Sequence, residues 1–479
     1  MNLIAQKLAE FSEWIWGWPL VGTILLAGIL LTFFYRGKYL LHPIFHFKNT
    51  YFQIFQKDNK GKGTISGFAA ACTALANTIG IGNIGGVASA VASGGPGAVF
   101  WLWVADIFGT SLKASEIILA QRYRVKFNKS IDEYVSDRSF VMKNSMGWKK
   151  GGYIVAFFVI IFGPWTNVVQ SESIQSSIRQ AADISSVIIL GILGLSVFFT
   201  IYKGIRRISE LLERVVPVMA IFYVLFGIII MVVNADKILP SFQSIFIYAF
   251  NPAAAKGGFI GATVKESIRY GIARGIYSSD AGTGYGMVVH APAITDHPVR
   301  QSSWGWGEII GDLVICTVTA LIVIVTDSYI KFGEAYSAEL TTLAFGEVFG
   351  NFGIVLMAII ISVFGWTTIV GMYYSLSKSV NYIFGDTKFN KIATNLYIIY
   401  FLAPIVFFSN IKADLLWSIT DLISGMYVLL TLVLIVGNLK EIKRLFTDFW
   451  YRYLPALNRG ENPPIVSYGV LEERNEEKY

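Results

Sequence analysis

A run of glycines and asparagines interrupts an apolar segment near the start of the chain. It reads Ala76-Asn77-Thr78-Ile79-Gly80-Ile81-Gly82-Asn83-Ile84-Gly85-Gly86. Each glycine costs about 1 kcal/mol of helix propensity relative to alanine, so a straight helix is hard to maintain here. Unwound backbone exposes carbonyl oxygens for a cation and N–H groups for an anion. The run therefore predicts a ligand-binding break, and close helix packing through Gly82 and Gly86 is the structural alternative.

The same run contains a formal G-x-G-x-x-G pattern at Gly80, Gly82 and Gly85. A dinucleotide-binding loop requires a strand before this pattern and a phosphate-facing helix after it. The surrounding residues are instead small and apolar, and basic residues precede them. This context argues against a nucleotide site.

A second glycine cluster, Tyr270-Gly271-Ile272-Ala273-Arg274-Gly275, lies in a later apolar segment. At a rise of about 1.5 Å per residue, both clusters fall near the middle of a membrane. Two interrupted helices that cross in opposite directions suit an inverted repeat of five helices each. The alternative break in the second helix is Gly282–Gly286, closer to the cytoplasm.

Two other segments place polar side chains at the same depth. These side chains are Trp165, Thr166, Asn167 and Gln170 in one segment, and Trp366, Thr367 and Thr368 in the other. Adjacent threonines that face the first glycine run would supply hydroxyl oxygens, and hard cations take oxygen ligands. Hydrogen bonds from these threonines to their own helix are the structural alternative.

The elements that position these residues are predicted to be membrane helices. The chain has 479 residues, of which 54% are hydrophobic and 15% charged, whereas a soluble protein carries about 25% charged residues. Eleven apolar segments approach or exceed the roughly 20 residues that span a bilayer. We number the first 0 and the others 1 to 10, and they cover 18–35, 65–92, 97–120, 152–178, 184–202, 215–234, 257–290, 302–327, 352–381, 391–410 and 413–437.

The distribution of Lys and Arg predicts the orientation of these spans. One side holds 28 of the 39 basic residues and the other holds six. Because basic loops stay in the cytoplasm, we expect an external N-terminus and a cytoplasmic C-terminus in the plasma membrane. The net charge of +7 then reflects topology, and we expect no nucleic-acid partner. Cys72 and Cys316 lie inside apolar spans and predict neither a disulfide framework nor a metal site.

Several ionisable residues lie within or near the spans, where such groups are functional candidates by default. They are Asp106, Glu116, Glu266, Asp280, Glu308 and Asp312. A structural ion pair such as Arg274 with Asp280, a cytoplasmic gate and a proton relay all stay open. A sodium site has more support from the sequence.

Long motifs at 79–88, 94–101, 271–275, 280–282, 297–301 and 312–317 resemble the sodium:alanine (alanine or glycine:cation) symporter family. The resemblance covers nearly the whole chain. It implies an all-α integral membrane protein with the leucine-transporter fold, namely 11 transmembrane helices in a 5+5 inverted repeat with one leading helix. We expect a leading helix and connector at 1–63, repeats at 64–240 and 241–437, and a cytoplasmic tail at 438–479.

The resemblance also implies a binding site for a small neutral amino acid and for sodium as the coupling ion, with no catalytic residue. The sodium ligands would be the carbonyls of Ala76, Ile79 and Phe364 and the hydroxyls of Thr367 and Thr368. The substrate contacts would be Thr78, Gly80, Gly82, Asn83, Gln170, Gly271, Ile272, Gly275 and Trp366. Positions that depart from the usual family pattern near this pocket are Asn77, Tyr277-Ser278-Ser279-Asp280, Met372, Trp366 and Gly163-Pro164-Trp165.

The predicted function is sodium-coupled symport of a small neutral amino acid of the alanine or glycine class, by alternating access, as a monomer in the lipid bilayer. A different small amino acid, or a sensor on the same fold, is the alternative. A channel would need a continuous polar stripe along its spans, and the polar residues here are isolated. An enzyme would need clustered His, Asp, Glu or Cys at mid-depth, and the sequence shows no such cluster.

Overall fold

The computed structural model describes residues 7, 10–12, 14–52, 61–128, 130–202, 204–251, 263–332, 337–408, 411 and 413–466. Its regular structure is almost entirely α-helical. Two short strands, β1 (Val125–Phe127) and β2 (Glu133–Val135), pair antiparallel with Val125 opposite Val135. They form a small hairpin in the loop between predicted helices 2 and 3. The predicted start of helix 6 at 257 and the tail after 466 lie outside the described residues.

The helices of the first half of the chain are α1 (Trp18–Phe34), α2 (Lys38–Leu41), α3 (Pro43–Lys48), α4 (Gly67–Thr78), α5 (Val87–Gly94), α6 (Gly97–Tyr123), α7 (Arg138–Met146), α8 (Lys149–Phe162), α9 (Val168–Ala181), α10 (Ser186–Ile201), α11 (Ile205–Val233) and α12 (Ala235–Phe250). A π-helical segment, Gly82–Gly86, precedes α5, and a 3₁₀ turn, Gly163–Asn167, joins α8 to α9. Thus α4 and α5 form predicted helix 1, and α8 and α9 form predicted helix 3.

The second half contains α13 (Val264–Ser279), α14 (Gly286–Val289), α15 (Pro298–Gln301), α16 (Ser303–Val325), α17 (Ser328–Lys331), α18 (Ala338–Phe349), α19 (Asn351–Phe384), α20 (Lys388–Phe407), α21 (Ala413–Gly437), α22 (Leu439–Asp448) and α23 (Leu454–Asn458). A π-helical segment, Phe449–Tyr453, joins the last two. Predicted helices 6, 7 and 8 correspond to α13 with α14, to α16, and to α19.

Side-chain caps define where several of these helices begin. The Ser66 hydroxyl accepts the Ala69 N–H at 3.0 Å and starts α4. Thr263 and Glu266 form a reciprocal capping box at the start of α13, with bonds of 3.2 and 2.6 Å. Such caps satisfy N–H groups that have no partner inside the helix. The entries of predicted helices 1 and 6 are therefore fixed by local chemistry.

The structure is that of a multi-pass membrane protein. Six of the described helices or helix pairs are long and apolar enough to cross a bilayer, at 149–181, 205–233, 298–325, 351–384, 388–407 and 415–437. Helix 1 makes a seventh if its two halves, which bend by 48°, count as one span. Trp18–Phe34 and Ser186–Ile201 are apolar but shorter. The predicted total of 11 spans stays a prediction.

The outer surface is apolar and the interior carries polar groups, as a bilayer requires. Val187 on α10 is 78% exposed, and large apolar side chains also cover the outside of α11. By contrast, Asp106, Lys113 and Glu116 on α6 are buried. Long α6 packs against α1, α13 and α16. It therefore runs through the centre of the bundle beside the interrupted helices.

Candidate binding site

Helix 1 loses its regular hydrogen bonding after Thr78, where α4 ends. Ile79 is extended, with ψ of 91°. The Gly80 N–H donates to the Asn83 side-chain oxygen at 3.0 Å rather than to the Ala76 carbonyl. The Asn83 N–H donates to the Gly80 carbonyl at 3.2 Å. We call residues 79–86 the helix 1 break. As a result of this break, the carbonyls of Ala76 and Ile79 lose their usual helical hydrogen-bond partners. The predicted interruption of this helix is confirmed.

Close approach of neighbouring helices requires glycine in this break. A Cβ atom on Gly80 would collide with the Thr368 hydroxyl of α19. On Gly82 it would lie 2.9 Å from the Tyr277 ring of α13. Both interpretations of the glycine run therefore hold, because the backbone is interrupted and is also packed tightly against two helices.

Helix 6 is interrupted at a different place from the one we ranked first. α13 runs without a break through Gly271, Ile272 and Gly275 and ends at Ser279. The backbone then turns through left-handed conformations at Asp280 (φ 52°) and Gly282 (φ 83°). The first-ranked break at 271–275 is wrong, and the second-ranked one at Gly282–Gly286 coincides with the observed interruption. We call residues 280–285 the helix 6 break.

The glycines inside α13 serve helix packing. A Cβ on Gly275 would lie 3.1 Å from both the Leu102 carbonyl and the Ala105 Cβ of α6. A Cβ on Gly271 would overlap the Ala98 carbonyl. These two glycines let α13 lie directly on α6. Neither they nor Ile272 line the central cavity described next.

The two breaks meet at a small polar cavity in the centre of the bundle. Its volume is about 10 Å³, which is room for about one water molecule. Helices 1, 3, 6, 8 and 10 contribute its lining, which consists of Asn77, Thr78, Gly80, Gly82, Thr166, Asn167, Gln170, Tyr277, Asp280, Tyr285, Met372 and Ser424. The structure thus brings together four predicted substrate contacts, Thr78, Gly80, Gly82 and Gln170. An amino acid fits only if the lining moves apart.

Hydrogen-bonding capacity remains open toward this cavity. The Gln170 side-chain oxygen accepts the Ile81 N–H at 3.2 Å. The Asn77 amide nitrogen donates to Ser375 at 2.8 Å, but its buried oxygen has no partner among the described residues. One carboxylate oxygen of buried Asp280 is also without a partner within that same part of the chain. A buried polar atom without a partner is costly, so these two oxygens retain the capacity to accept a hydrogen bond.

The predicted sodium ligands lie where α19 crosses the helix 1 break. The hydroxyls of Thr367 and Thr368 both donate to the Phe364 carbonyl, at 2.9 and 3.0 Å. Their lone pairs remain available, so the helix-internal bonds do not preclude a cation. The Thr368 hydroxyl faces Gly80, whereas the Thr367 hydroxyl lies 3.6 Å from the Met219 sulfur on α11. Hydroxyl and carbonyl oxygens are ligands that hard cations take, and Thr368 lies closer to helix 1 than Thr367 does.

Asn83 and Trp366 do not line the cavity. Asn83 turns its amide nitrogen toward Asp312 of α16, at 2.5 Å. Trp366 lines a separate apolar cavity of about 370 Å³ between α9, α10 and α19. Trp366 therefore lies outside the central cavity, because a helix turns about 100° per residue and its side chain takes a different direction from those of Thr367 and Thr368.

Other cavity residues were not among the predicted contacts. Asn77, Tyr277 and Met372 had been noted only as departures from the family pattern. Ser424 and Tyr285 had no signal in the sequence, because their approach depends on how α21 and the helix 6 break pack. Within the described residues there is no group of three or more His, Cys, Asp or Glu that could hold a metal ion.

Comparison with known proteins places the chain in a family. The profile of the sodium:alanine symporter family matches residues 1–462. An uncharacterized transporter of Bacillus subtilis, YflA, is 32% identical over 99% of this chain and 100% of its own length. The sodium/alanine symporter AgcS of Methanococcus maripaludis is 31% identical over 91% of this chain and 96% of that protein. The probable sodium/glutamine symporter GlnT of Bacillus subtilis is 31% identical over 87% and 84%.

Solved structures share the fold at low sequence identity. MhsT in complex with L-phenylalanine matches 77% of this chain and 89% of its own, with a TM-score of 0.54 and 11% identity. A mutant manganese transporter of Eremococcus coleocola matches 81% and 87%, with a TM-score of 0.52 and 12% identity. These likenesses concern the fold alone. The chain belongs to the sodium:alanine symporter family, whose members are transporters and not enzymes, and it has the leucine-transporter fold.

Proposed function

We propose that this protein is a secondary active transporter that couples the entry of a small neutral amino acid to the entry of sodium. The observation that carries this proposal is the meeting of two interrupted helices at one polar cavity inside an apolar bundle. Relatives named as sodium/alanine and sodium/glutamine symporters support the same assignment. The exact amino acid follows from neither the fold nor these names.

The two breaks offer complementary groups to an amino acid. Its carboxylate would meet N–H groups of the helix 1 break near Gly80 and Ile81, where the start of a half-helix carries partial positive charge. Its ammonium would face the Asn77 side-chain oxygen and the Asp280 carboxylate, whose open acceptors point to a hydrogen-bond donor. In this proposal the substrate contacts the helix 6 break at Asp280 rather than at Gly271, Ile272 and Gly275, the contacts that the resemblance implied.

Sodium would join helix 1 to α19. Its ligands in this proposal are the carbonyls of Ala76, Ile79 and Phe364 and the hydroxyls of Thr367 and Thr368. An ion there would fix the half-helix end that receives the substrate carboxylate, and this shared geometry would couple the two ligands. Positive cooperativity between sodium and substrate follows, because each reduces the ordering cost of binding the other.

The nearly closed cavity suits a transport cycle in which access alternates between the two sides. At about 10 Å³ it has to expand before an amino acid enters. We propose that a five-plus-five repeat with a leading helix, in 11 spans, rocks around this site in a functional monomer. The external N-terminus and cytoplasmic C-terminus belong to the same proposal.

Uptake into proteoliposomes tests this function. Radiolabelled alanine, glycine, serine and glutamine would each be supplied under an imposed sodium gradient, with choline or potassium replacing sodium in matched vesicles. We expect uptake of at least one amino acid that collapses without sodium. Equal uptake without sodium would refute the proposal. Saturable binding without uptake would instead identify a sensor, and flux far above carrier turnover would identify a channel.

A further inference from the structure

Two buried aspartates lie side by side behind the helix 1 break, outside the cavity. Asp106 belongs to α6 and Asp312 to α16, and both side chains have 0% exposure. The Trp103–Thr317 hydrogen bond at 2.9 Å and the Lys113–Glu308 ion pair at 3.3 Å join α6 to α16 on either side of the two aspartates. The carboxyl groups therefore lie at the same level of the two helices and interact with each other. Two adjacent carboxylates in a low-dielectric interior cannot both stay charged unless a cation accompanies them.

The two carboxyl groups have unequal surroundings. Asp312 accepts hydrogen bonds from Asn83 at 2.5 Å, from the Ser278 hydroxyl at 3.1 Å and from the Cys316 thiol at 3.6 Å. Among the described residues, neither carboxyl oxygen of Asp106 has a hydrogen-bond partner of standard geometry, and the nearby Ser279 hydroxyl donates to the Gly275 carbonyl at 2.7 Å. Donated hydrogen bonds stabilise a charged carboxylate, and their lack favours the neutral acid. Asp312 is therefore the charged member of the pair and Asp106 the neutral one.

Basic side chains near the pair are engaged elsewhere. On α6, the Lys113 ammonium lies 3.3 Å from Glu308 of α16 and donates to the Ser279 carbonyl at 3.2 Å. Glu116, also on α6, accepts the Gly286 N–H at 3.0 Å. Across the described residues, no ion pair joins a basic group to Asp106 or Asp312.

Other titratable groups that face the pair do not supply positive charge. From the helix 6 break, the acidic side chain of Asp280 interacts with Asp312, while Arg274 of α13 is paired with Asp421 at 2.8 Å. From α16, the thiol of Cys316 is the nearest titratable group. Helix 1 presents only the neutral side chain of Asn83. A positive charge for the pair must come from outside the protein.

A proton fits this environment better than a metal ion. The Gly80 N–H can only donate, so the Asn83 oxygen must face it and the Asn83 NH₂ must face Asp312. The single Ser278 hydroxyl hydrogen is within reach of Asp312 at 3.1 Å and of the Gly275 carbonyl at 3.0 Å. A sodium ion would need an oxygen lone pair where Asn83 lies, and the Asn83 NH₂ offers hydrogens instead.

We propose that the pair of Asp106 and Asp312 binds one proton, carried by Asp106 and shared with Asp312, and that this proton holds the helix 1 break in shape. Asn83 is the link, because it bonds Asp312 with its nitrogen and Gly80 with its oxygen. Loss of the proton would place two negative charges in contact and push Asp312 away from Asn83. Gly80 would then be released, and the sodium and substrate sites would loosen.

Infrared spectroscopy of the purified full-length protein tests the proton directly and does not depend on transport. The difference spectrum of wild type minus Asp106→Asn should contain the carbonyl band of a protonated carboxylic acid, and that band should disappear at alkaline pH. Asp236→Asn, an exposed position, is the matched control and should not remove the band. A difference spectrum with carboxylate bands alone would overturn the proposal. Asp106→Ser serves for the same comparison if Asp106→Asn does not fold.

A binding measurement tests the link to helix 1, and this arm rests on the proposed function. Wild type should bind its amino acid roughly tenfold more weakly at a pH that removes the proton, as expected for a lost hydrogen bond to a charged group. Asp106→Asn mimics the neutral acid, so its affinity should no longer vary with pH. An unchanged pH profile in this variant would contradict the proposal. A changed sodium cooperativity with the wild-type pH profile would show that the pair binds sodium, and would contradict it too.

Discussion

The two glycine-rich helices at the centre of the bundle behave in opposite ways. Helix 1 opens at Gly80, within its glycine run, whereas α13 passes through Gly271 and Gly275 as regular helix and opens only at Asp280. Both segments are rich in glycine. They differ in whether a neighbouring side chain accepts hydrogen bonds from their backbone N–H groups.

At the helix 1 break a side chain replaces the helical bond. The Asn83 oxygen takes the Gly80 N–H at 3.0 Å, and the Gln170 oxygen takes the Ile81 N–H at 3.2 Å. In α13 the Ser278 and Ser279 hydroxyls donate to the Gly275 carbonyl, at 3.0 and 2.7 Å, which a regular helix tolerates. No described side chain accepts the N–H of Gly271 or Gly275, and the neighbouring α6 fills the space that their missing side chains leave. A glycine permits a break, but a side-chain partner for the freed backbone group makes it.

The largest effect is expected from adding a methyl group at one glycine in each of the two helices. Gly80→Ala places its Cβ against the Thr368 hydroxyl, so uptake should be abolished because either the break or the sodium site must shift. Gly271→Ala places its Cβ against the α6 backbone and should lower the free energy of unfolding by about 1–3 kcal/mol. Proteoliposome uptake and thermal unfolding in detergent separate the two effects. Normal uptake by folded Gly80→Ala would contradict the assignment of the break.

A second pair of variants changes one residue that supports each interruption. Asn83→Ala deletes the bonds to Gly80 and Asp312 and should weaken apparent sodium affinity by about 10- to 100-fold, for about 1–3 kcal/mol. Gly282→Ala forces a side chain into φ of 83°, at a cost of about 1–2 kcal/mol, and should have a smaller effect. Sodium titration of uptake measures both. Asn438→Ala, at a buried asparagine between α21 and α22, should leave sodium affinity unchanged.

The two adjacent threonines of α19 should contribute differently to sodium binding. Thr368→Ala should raise the half-saturating sodium concentration by about fivefold to tenfold, the effect of losing one buried oxygen ligand of about 1 kcal/mol. Thr367→Ala should change it less, because that hydroxyl lies toward Met219. Thr342→Ala on α18 is the matched control, since Thr342 also donates to its own helix, at 2.9 Å. A larger effect from Thr367→Ala than from Thr368→Ala would contradict the assignment of Thr368 as the stronger sodium ligand.

The smallest effect is expected at Trp366. Its side chain lies in the apolar cavity near α9 and α10, so Trp366→Phe should change substrate affinity by less than about twofold, within the usual range for a site away from special contacts. Equilibrium binding of the labelled amino acid measures it. A tenfold loss would return Trp366 to the substrate site.

The sequence alone was sufficient for the helix 1 break and for part of the cavity. Glycine propensity and depth located the interruption beside Thr78, and the same depth argument brought Gln170 to it. These inferences needed only the order of residues along one span. The resemblance supplied the family, which the profile match confirms.

The break in helix 6 could not be ranked correctly from sequence. Propensity treats Gly275 and Gly282 alike, and only the proximity of Leu102 and Ala105 shows that Gly275 is a packing residue. Contacts such as Ser424 likewise depend on tertiary approach. Trp366 lies outside the cavity although it is adjacent to Thr367 and Thr368, because the three side chains point in different directions around α19.

The attachment of α1 along α6 has a practical consequence. Thr32 on α1 and Tyr35 directly after it bond to Ser111 and Ser115 on α6, at 2.9 and 2.7 Å, and Gly28 lies directly against the Phe108 carbonyl. Because α6 also packs against α13, the leading helix would move together with these two helices in the proposed transport cycle. A spin label on α1 and another on α20 would then report the swing of the core as a change in one distance.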